Sequence, residues 1–315
     1  MIFTSAASLD EALQAVAGGA RPVAGGSDLV VGARQGKAPL PAALVGIDRL
    51  ATLAGIEAVD GERSGDEASG RGRMRIGALV RHADIEASQL LAERYSALAD
   101  GSALVGSPST RNVGTLGGNV MNGSPAMDTG APLVVLEAEV ELRSPDATRR
   151  VAIESLWTGP GRTAARADEL CVAIHLPPSA PDSGSAYVRL EYRRAMEIAV
   201  VGAAAHVVLA ADGTISACRI ALAAVAPTII RAPLAEQAIT GHLPAPQALE
   251  AVAAAAGEVS RPLSDLRGSE AYRRHTVGVV ARRAVEIAAR RAGGESIPIP
   301  ANRARGIGAP LAGTA

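Results

Sequence analysis

The chain is short of rings, thiols and excess charge, and each shortage excludes something. Aromatic residues make up 2% of the 315 positions, with one Phe and one Trp. The core has to be built from Ala, Val, Leu and Ile, and binding of single-stranded nucleic acid by base stacking is disfavoured. Lys plus Arg is 31 and Asp plus Glu is 32, so the formal net charge of −1 points to neither nucleic acid nor an anionic membrane. Cys171 and Cys218 are the only cysteines. Two thiols cannot hold an iron–sulfur cluster that needs four, nor build a disulfide framework. A role in electron transfer therefore requires an organic cofactor, or one carried by another chain. No apolar run reaches the roughly 18 residues of a membrane span. Met1-Ile2-Phe3-Thr4 has no basic n-region and no twin arginine, so a cytoplasmic location is the default expectation.

Several catalytic patterns are missing too. His82, His175, His206, His242 and His275 are scattered without an H-x-x-x-H spacing, so no metal site is expected. Ser102 to Ser109 contains no nucleophile elbow. Neither a Walker loop nor a G-x-G-x-x-G fingerprint occurs, which disfavours a standard Rossmann nicotinamide site. No catalytic side chain is predicted.

Two glycine-rich segments are present instead. Ala24-Gly25-Gly26-Ser27-Asp28-Leu29 follows a short strand, Pro22-Val23-Ala24. Successive amides free of side chains at such a turn form an anion-binding concavity, and Ser27 adds a hydroxyl. A plain tight turn explains two glycines equally well. The second segment, Asn112-Val113-Gly114-Thr115-Leu116-Gly117-Gly118-Asn119, runs on through Asn122 to Ser124-Pro125-Ala126-Met127-Asp128. Asp128 could accept from a ribityl or ribose hydroxyl, or cap a helix starting at Thr129. Two such segments suggest one extended phosphate-bearing ligand, a dinucleotide, gripped from two sides.

The surrounding pattern is α+β. Ser8-Leu9-Asp10-Glu11 reads as a capping box opening a helix to about Val16, closed by Gly18-Gly19. Leu29 to Arg34 fits a helical turn or a buried strand, and Ala43 to Ile47 a strand. Residues 60–72 are polar and glycine-rich, a hairpin tip or loop. Met74 to Ala78 resumes a strand, His82 to Leu91 and Tyr95 to Leu104 are helical, and a helix closes at Leu133 to Leu136. Val140 to Arg143 pairs with Val151 to Ile153, and Glu169 to Leu176 is a further strand. Pro177 to Gly184 reads as a linker. Ala199 to Leu209 and Ile215 to Val225 are β-like around Asp212-Gly213, and Pro246 to Val259 and Glu270 to Arg291 are helices. Residues 292–315 lack periodicity and read as a loose tail.

Taken together, the two glycine segments resemble the FAD-binding subunit of the molybdenum hydroxylases, the xanthine dehydrogenase and carbon monoxide dehydrogenase type. That family typically reads A-G-G-T/H-D/S-L near its start and N-x-G-T-L/I-G-G-N-x-x-x-x-S-P-x-x-D near residue 120. Its R-R-x-M-D-I-A motif appears as Arg193-Arg194-Ala195-Met196-Glu197-Ile198-Ala199, with Glu197 in place of Asp. Tyr272-Arg273 through Arg282-Arg283 is similar to the family's last helix, so the resemblance covers residues 1 to about 291.

The resemblance implies two α/β FAD-binding subdomains of the vanillyl-alcohol-oxidase-like type, residues 1–55 and 56–178. A small sheet-plus-helices domain, 179–291, and the tail follow. It implies that Gly25, Gly26, Ser27 and Asp28 hold the FAD pyrophosphate, flanked by Ala24 and Leu29. Thr115, Gly117, Gly118 and Asn119 would hold it from the other side, and Asn122 and Asp128 would take polar groups of the FAD. Arg189 falls near the flavin ring. Cys171 falls near a position covering the ring, although a small buried hydrophobe explains it as well. Molybdopterin and iron–sulfur clusters are expected only on partners, a large molybdopterin-binding subunit and a small iron–sulfur subunit, in a heterotrimer or its dimer. Electrons would pass through FAD to NAD, a quinone, oxygen or a carrier. The rival expectation is a self-sufficient FAD-dependent oxidase or dehydrogenase of the vanillyl-alcohol-oxidase type.

Overall fold

The chain starts with a parallel α/β unit. A computed structural model describes residues 1–36, 39–59 and 72–304. β1 (Ile2–Ser5), α1 (Leu9–Ala17), β2 (Arg21–Val23), α2 (Ser27–Arg34) and β3 (Ala43–Gly46) alternate, and the parallel sheet has the order β1-β3-β2. The Ser8 cap forms as expected, but the reciprocal arm of the capping box falls one residue earlier, on Ala7 instead of Ser8. Ser8 Oγ accepts the Glu11 N–H at 3.2 Å, and the Glu11 carboxylate accepts the Ala7 N–H at 2.8 Å. α1 buries Ala12, Leu13 and Val16 against Val45, Ile47, Leu50 and Leu53. Leu29 to Arg34 turns out helical. α2 buries none of its residues, so Val30 and Val31 stay about half exposed.

The second unit is antiparallel. It comprises β4 (Ile56–Val59), β5 (Arg73–Gly77), α3 (His82–Ala87), α4 (Gln89–Arg94), α5 (Ser96–Leu104), α6 (Pro108–Arg111), α7 (Leu116–Asn122) and α8 (Gly130–Val135). β6 (Glu139–Arg143), β7 (Thr148–Ala152), α9 (Ile153–Leu156), the pair β8 (Trp157–Gly159) and β9 (Arg162–Thr163), and β10 (Leu170–Leu176) complete it. The sheet order is β4-β5-β10-β6-β7. β10 lies at its centre and all seven of its residues are buried, which is why it reads as an apolar run from Leu170 to Ile174, followed by His175 and Leu176. The glycine-rich loop expected at 60–72 falls, apart from Gly72, outside the described residues.

The third unit is a meander, β11 (Ser183–Leu190), β12 (Val201–Leu209), β13 (Ile215–Ala223) and β14 (Ile230–Arg231), in that spatial order. α10 (Pro233–Gln237), α11 (Pro246–Val259) and α12 (Glu270–Ala292) follow, then α13 (Ala301–Ala304). Helix α12 packs Val277, Ala281, Ala284, Val285 and Ala288 onto Ala186, Val188, Ala203 and Ala205 of the sheet. Small side chains on both surfaces bring helix and sheet close, as the scarcity of rings requires.

β11 was not foreseen, and its two faces do different work. Ala186 and Val188 enter the core under α12. Ser185, Tyr187 and Arg189 point the other way, as a period of two demands. Ser96 Oγ donates to the Ser185 carbonyl at 2.7 Å, and the Ala97 N–H donates to Ser185 Oγ at 3.0 Å. The fully buried Asp100 carboxylate accepts the Tyr187 N–H at 3.1 Å and the Arg291 guanidinium at 2.7 and 3.1 Å. It also accepts the Ala301 N–H at 2.8 Å. The stretch from 292 onward is therefore not loose over its first part. Asn302 also pairs with both backbone groups of Arg189, at 3.0 and 2.9 Å, and so covers the free edge of β11.

Two expected outcomes follow from this packing. Asp100→Ala leaves Arg291 buried without its counter-charge. Denaturant unfolding of the variant should show a loss of about 3–5 kcal/mol, the usual cost of breaking a buried pair from one side. His82 is buried, and burial, assisted by the Arg111 charge, lowers its pKa from 6.5 to about 4. The unfolded chain takes up this proton near 6.5 and the folded chain only near 4, so stability present above pH 6.5 is lost as pH falls through that window. Unfolding free energy measured from pH 7 to 4 should fall less steeply in His82→Gln.

Candidate cofactor site

Strand β2 ends beside the middle strand of a parallel sheet, and the chain turns there into α2. Gly26 takes the turn at a φ of +68°, which a side chain would oppose. It caps α2 without any side-chain hydrogen bond, and the first helical bond runs from the Val30 N–H to the Gly26 carbonyl at 3.0 Å. Among the described residues, the N–H groups of Gly25, Gly26, Ser27 and Asp28 meet no acceptor. Four open donors at the positive end of a helix, beyond the carboxyl end of a parallel strand, form a nest for an anion.

The second segment is built in the opposite way, with its amides already used. The Gly117 N–H donates to the Ala78 carbonyl at 2.9 Å, the Asn119 N–H to the Thr115 carbonyl at 3.0 Å, and the Gly118 N–H to Thr115 Oγ1 at 3.1 Å. Leu116 and Gly114 bond back to Val80 and His82 at 2.9 and 3.1 Å, adding the segment to the 78–82 edge. Gly117 is buried, and a Cβ there would stand 2.6 Å from the Ala78 Cβ. Packing, not the approach of a ligand, keeps this position a glycine. That corrects the expectation that Gly117 faces the pyrophosphate.

The two segments touch. A Cβ on Gly25 would lie 1.8 Å from the Val113 carbonyl oxygen, and one on Gly114 would lie 3.7 Å from Ser27 Oγ. The second segment is thus a wall against which the open turn rests. Sequence reasoning located both segments but not this division of labour.

Asp128 and Arg189 come together 61 residues apart. One Asp128 oxygen accepts Arg189 Nη1 at 2.6 Å, and the other accepts the Tyr187 hydroxyl at 2.9 Å. Glu191 takes the far side of the guanidinium at 2.5 and 2.7 Å. Burial pushes the Asp128 carboxyl above its ordinary pKa, and the Arg189 cation opposes that shift. Asp128 is not a helix cap; Thr129 occupies that place, and its hydroxyl donates to Asn119 Oδ1 at 2.7 Å. Asn122 closes α7 just before the left-handed Gly123. Cys171 lies in β10 with its side chain in the core of the second unit, where burial pushes its thiol up to about 12. It behaves as a small hydrophobe.

Tyr192 escaped the sequence reading, and Met196 and Ile198 entered it only as motif residues. Tyr192, Met196 and Ile198 are exposed apolar side chains on the loop after β11. The Met196 N–H donates to the Gly106 carbonyl at 3.0 Å, and Thr110 Oγ1 lies 3.8 Å from its sulfur, so this loop borders the second glycine segment. The signal is the apolar Tyr192, Met196 and Ile198 interleaved with Arg193, Arg194 and Glu197.

Comparison with known proteins gives the chain a family. Residues 1–179 match the FAD binding domain in molybdopterin dehydrogenase, and residues 185–288 match the CO dehydrogenase flavoprotein C-terminal domain. The chain is 32% identical over 253 residues to the xanthine dehydrogenase FAD-binding subunit of Escherichia coli O157:H7, covering 80% of this chain and 83% of that one. It is 33% identical over 273 residues to the carbon monoxide dehydrogenase medium chain of Afipia carboxidovorans, covering 87% and 90%. A solved carbon monoxide dehydrogenase of Hydrogenophaga pseudoflava superposes with a TM-score of 0.83 at 31% identity, over 92% of this chain and 98% of that one. With more than half its length matched by the first model, the chain belongs to the FAD-binding oxidoreductase subunits of the molybdopterin dehydrogenase family.

Proposed function

We propose that this chain is the electron-transferring flavin subunit of a molybdenum-containing hydroxylase or dehydrogenase complex, with Gly25 to Asp28 as its pyrophosphate seat. The observation that carries the assignment is the run of four open N–H groups at the start of α2. A pyrophosphate diester is dianionic, and amides plus a helix dipole suit it without any lysine or metal. Ala24 and Leu29 flank the seat, and Ser27 adds its hydroxyl. Thr115, Gly118, Asn119 and Asn122 line the wall opposite, and Asp128 and Arg189 brace it from behind. The apolar Tyr192, Met196 and Ile198 suit a flat ring extending from the seat. The first two units then correspond to the vanillyl-alcohol-oxidase-like pair of flavin-binding subdomains.

Bound FAD supplies the capacity to take electrons singly and release them in pairs. This chain's residues bind it, orient it and limit access to it. The two buried thiols cannot ligate a cluster, so the proposal places iron–sulfur clusters on a small partner subunit and molybdopterin on a large one. Substrate is oxidised there, and electrons leave the flavin for NAD, a quinone, oxygen or a carrier. The setting is cytoplasmic, and the assembly is a heterotrimer or its dimer.

The chain, purified with the chains that assemble with it, is expected to show the yellow absorbance of oxidised flavin. Denaturation should release that flavin from the polypeptide. A colourless preparation that takes up no added FAD refutes the proposal, and flavin left covalently on the chain points to the self-sufficient alternative. Ser27→Pro removes one open amide and the hydroxyl at the first helical position, which tolerates proline. FAD affinity should drop roughly 10- to 100-fold with little change in melting, from about 1.5–3 kcal/mol for a hydrogen bond to a charged group. Gly117→Val should instead lower the melting temperature through its clash with Ala78. Unchanged affinity in Ser27→Pro would remove the seat from the first loop.

A further inference from the structure

Strand β11 is an edge of its sheet, and side chains instead of a neighbouring strand answer its outward backbone groups. The Ser185 carbonyl accepts Ser96 and Arg291, and the Tyr187 N–H donates to Asp100. At Arg189 one residue answers both groups. Asn302 Oδ1 accepts the Arg189 N–H at 3.0 Å, and Asn302 Nδ2 donates to the Arg189 carbonyl at 2.9 Å. A side-chain amide bonded in this way reproduces, at one residue, the paired bonds of an antiparallel neighbour. Asn302 is itself fixed. It lies in α13, at the end of a strap of residues 293–304 that returns from α12 to this edge. Arg291 donates to the Ile297 and Pro298 carbonyls at 3.3 and 3.4 Å. The buried Ala301 donates its N–H to Asp100 and packs into the core under α12. The strap lies beyond residue 288, where the match to the flavoprotein C-terminal domain ends.

The Arg189 side chain joins three parts of the candidate site. Nη1 donates to Asp128 at 2.6 Å, at the end of the second glycine segment. It also donates to the Glu197 carbonyl at 3.3 Å, in the loop that carries Met196 and Ile198. Glu191 accepts from Nε and Nη2. The loop rests in turn on Gly106, through the Met196 N–H. The Arg189 side chain is fully buried. A buried guanidinium bonded on both edges has no room to re-aim, so a shift of its backbone is passed on to Asp128 and to the loop.

We propose that Asn302 is a positioning residue of the cofactor site. By gripping the backbone of Arg189 it sets how the second glycine segment and the 192–198 loop stand toward the first glycine segment. This rests on the flavin-subunit reading above, in which they border the pyrophosphate seat and the ring. A binding constellation keeps its geometry only when the contacts behind it are locked, and a slightly loose support is enough to weaken it. Sealing the strand edge is a separate role, and Ser185 performs it toward the other end of β11. The two residues can therefore be set against each other.

The test compares Asn302→Ala with Ser185→Ala in the full chain, purified with the subunits that assemble with it. Ser185→Ala leaves the buried Ala97 N–H without its acceptor, so it should cost more in melting temperature. Asn302 is half-buried, and water replaces its two bonds in Asn302→Ala. Asn302→Ala should nevertheless raise the FAD dissociation constant about 5-fold or more, the equivalent of roughly one net hydrogen bond. It should also change the visible circular dichroism of the bound flavin, which reports the surroundings of the ring. Ser185→Ala should leave both close to the parent. Asn302→Asp keeps the acceptor for the Arg189 N–H but loses the donor, and should raise the dissociation constant as well. Unchanged affinity and dichroism in the Asn302 variants overturn the proposal. So does a flavin effect no larger than that of Ser185→Ala, because it would merely follow the loosening of the strand. A parent complex without flavin refutes the functional reading, whereas a flavin-loaded parent with indifferent Asn302 variants refutes the positioning role alone.

Discussion

A carboxylate with no access to water has to be surrounded by donors, and Asp100 meets that demand with four hydrogen bonds from three separate parts of the chain. Strand β11, helix α12 and the first residue of α13 all converge on it. The requirement is strict because desolvating an unpaired charge costs more than most single contacts return. Helix α5, which carries Asp100, belongs to the second unit, and its partners belong to the third. One buried charge therefore registers the meander against the body of the molecule. The neighbouring Asp128–Arg189–Glu191 cluster repeats the device two residues further along β11, beside the glycine segments.

The two glycine segments show how similar sequences acquire different physical roles. Both place small residues after an extended stretch and before a helix. In the second, Ala78 and Thr115 consume the amides, and the result is a braced wall. In the first, nothing consumes them. A backbone donor left open at a helix start is available to a ligand, whereas one already bonded within the fold is not. Contact between Gly25 and Val113 then presses the open turn against the braced one.

Local pattern carried much of this into the sequence. Helix α11 has the bounds its periodicity predicts, Pro246–Val259, and α12 ends one residue later than expected, at Ala292. The Ser8 cap and the fully buried, mostly apolar β10 were equally legible, because propensity and burial agree there. Strand β11 was not, since Ser183, Gly184, Ser185 and Arg189 make it look like a loop. Its polar face exists to meet Asp100 and Asp128, partners 87 and 61 residues away. Within the candidate site, the positions of Gly25 and Gly26 could be read directly. The pairing of Asp128 with Arg189, and the packing reason for Gly117, depend on distant neighbours that no local pattern encodes.

Helix α2 bears the anion nest yet places no residue in any core. Most helical stability comes from burying an apolar face, so an eight-residue helix without one is marginal on its own. Order in α2 and occupancy of its N-terminus are then linked quantities. A dianion bound there stabilises only conformations in which the first turn is formed, and the gain grows with the logarithm of its concentration above the dissociation constant. Amide hydrogen exchange in residues 27–34 would register the ligand far more strongly than exchange in β10, whose protection follows the stability of the whole fold.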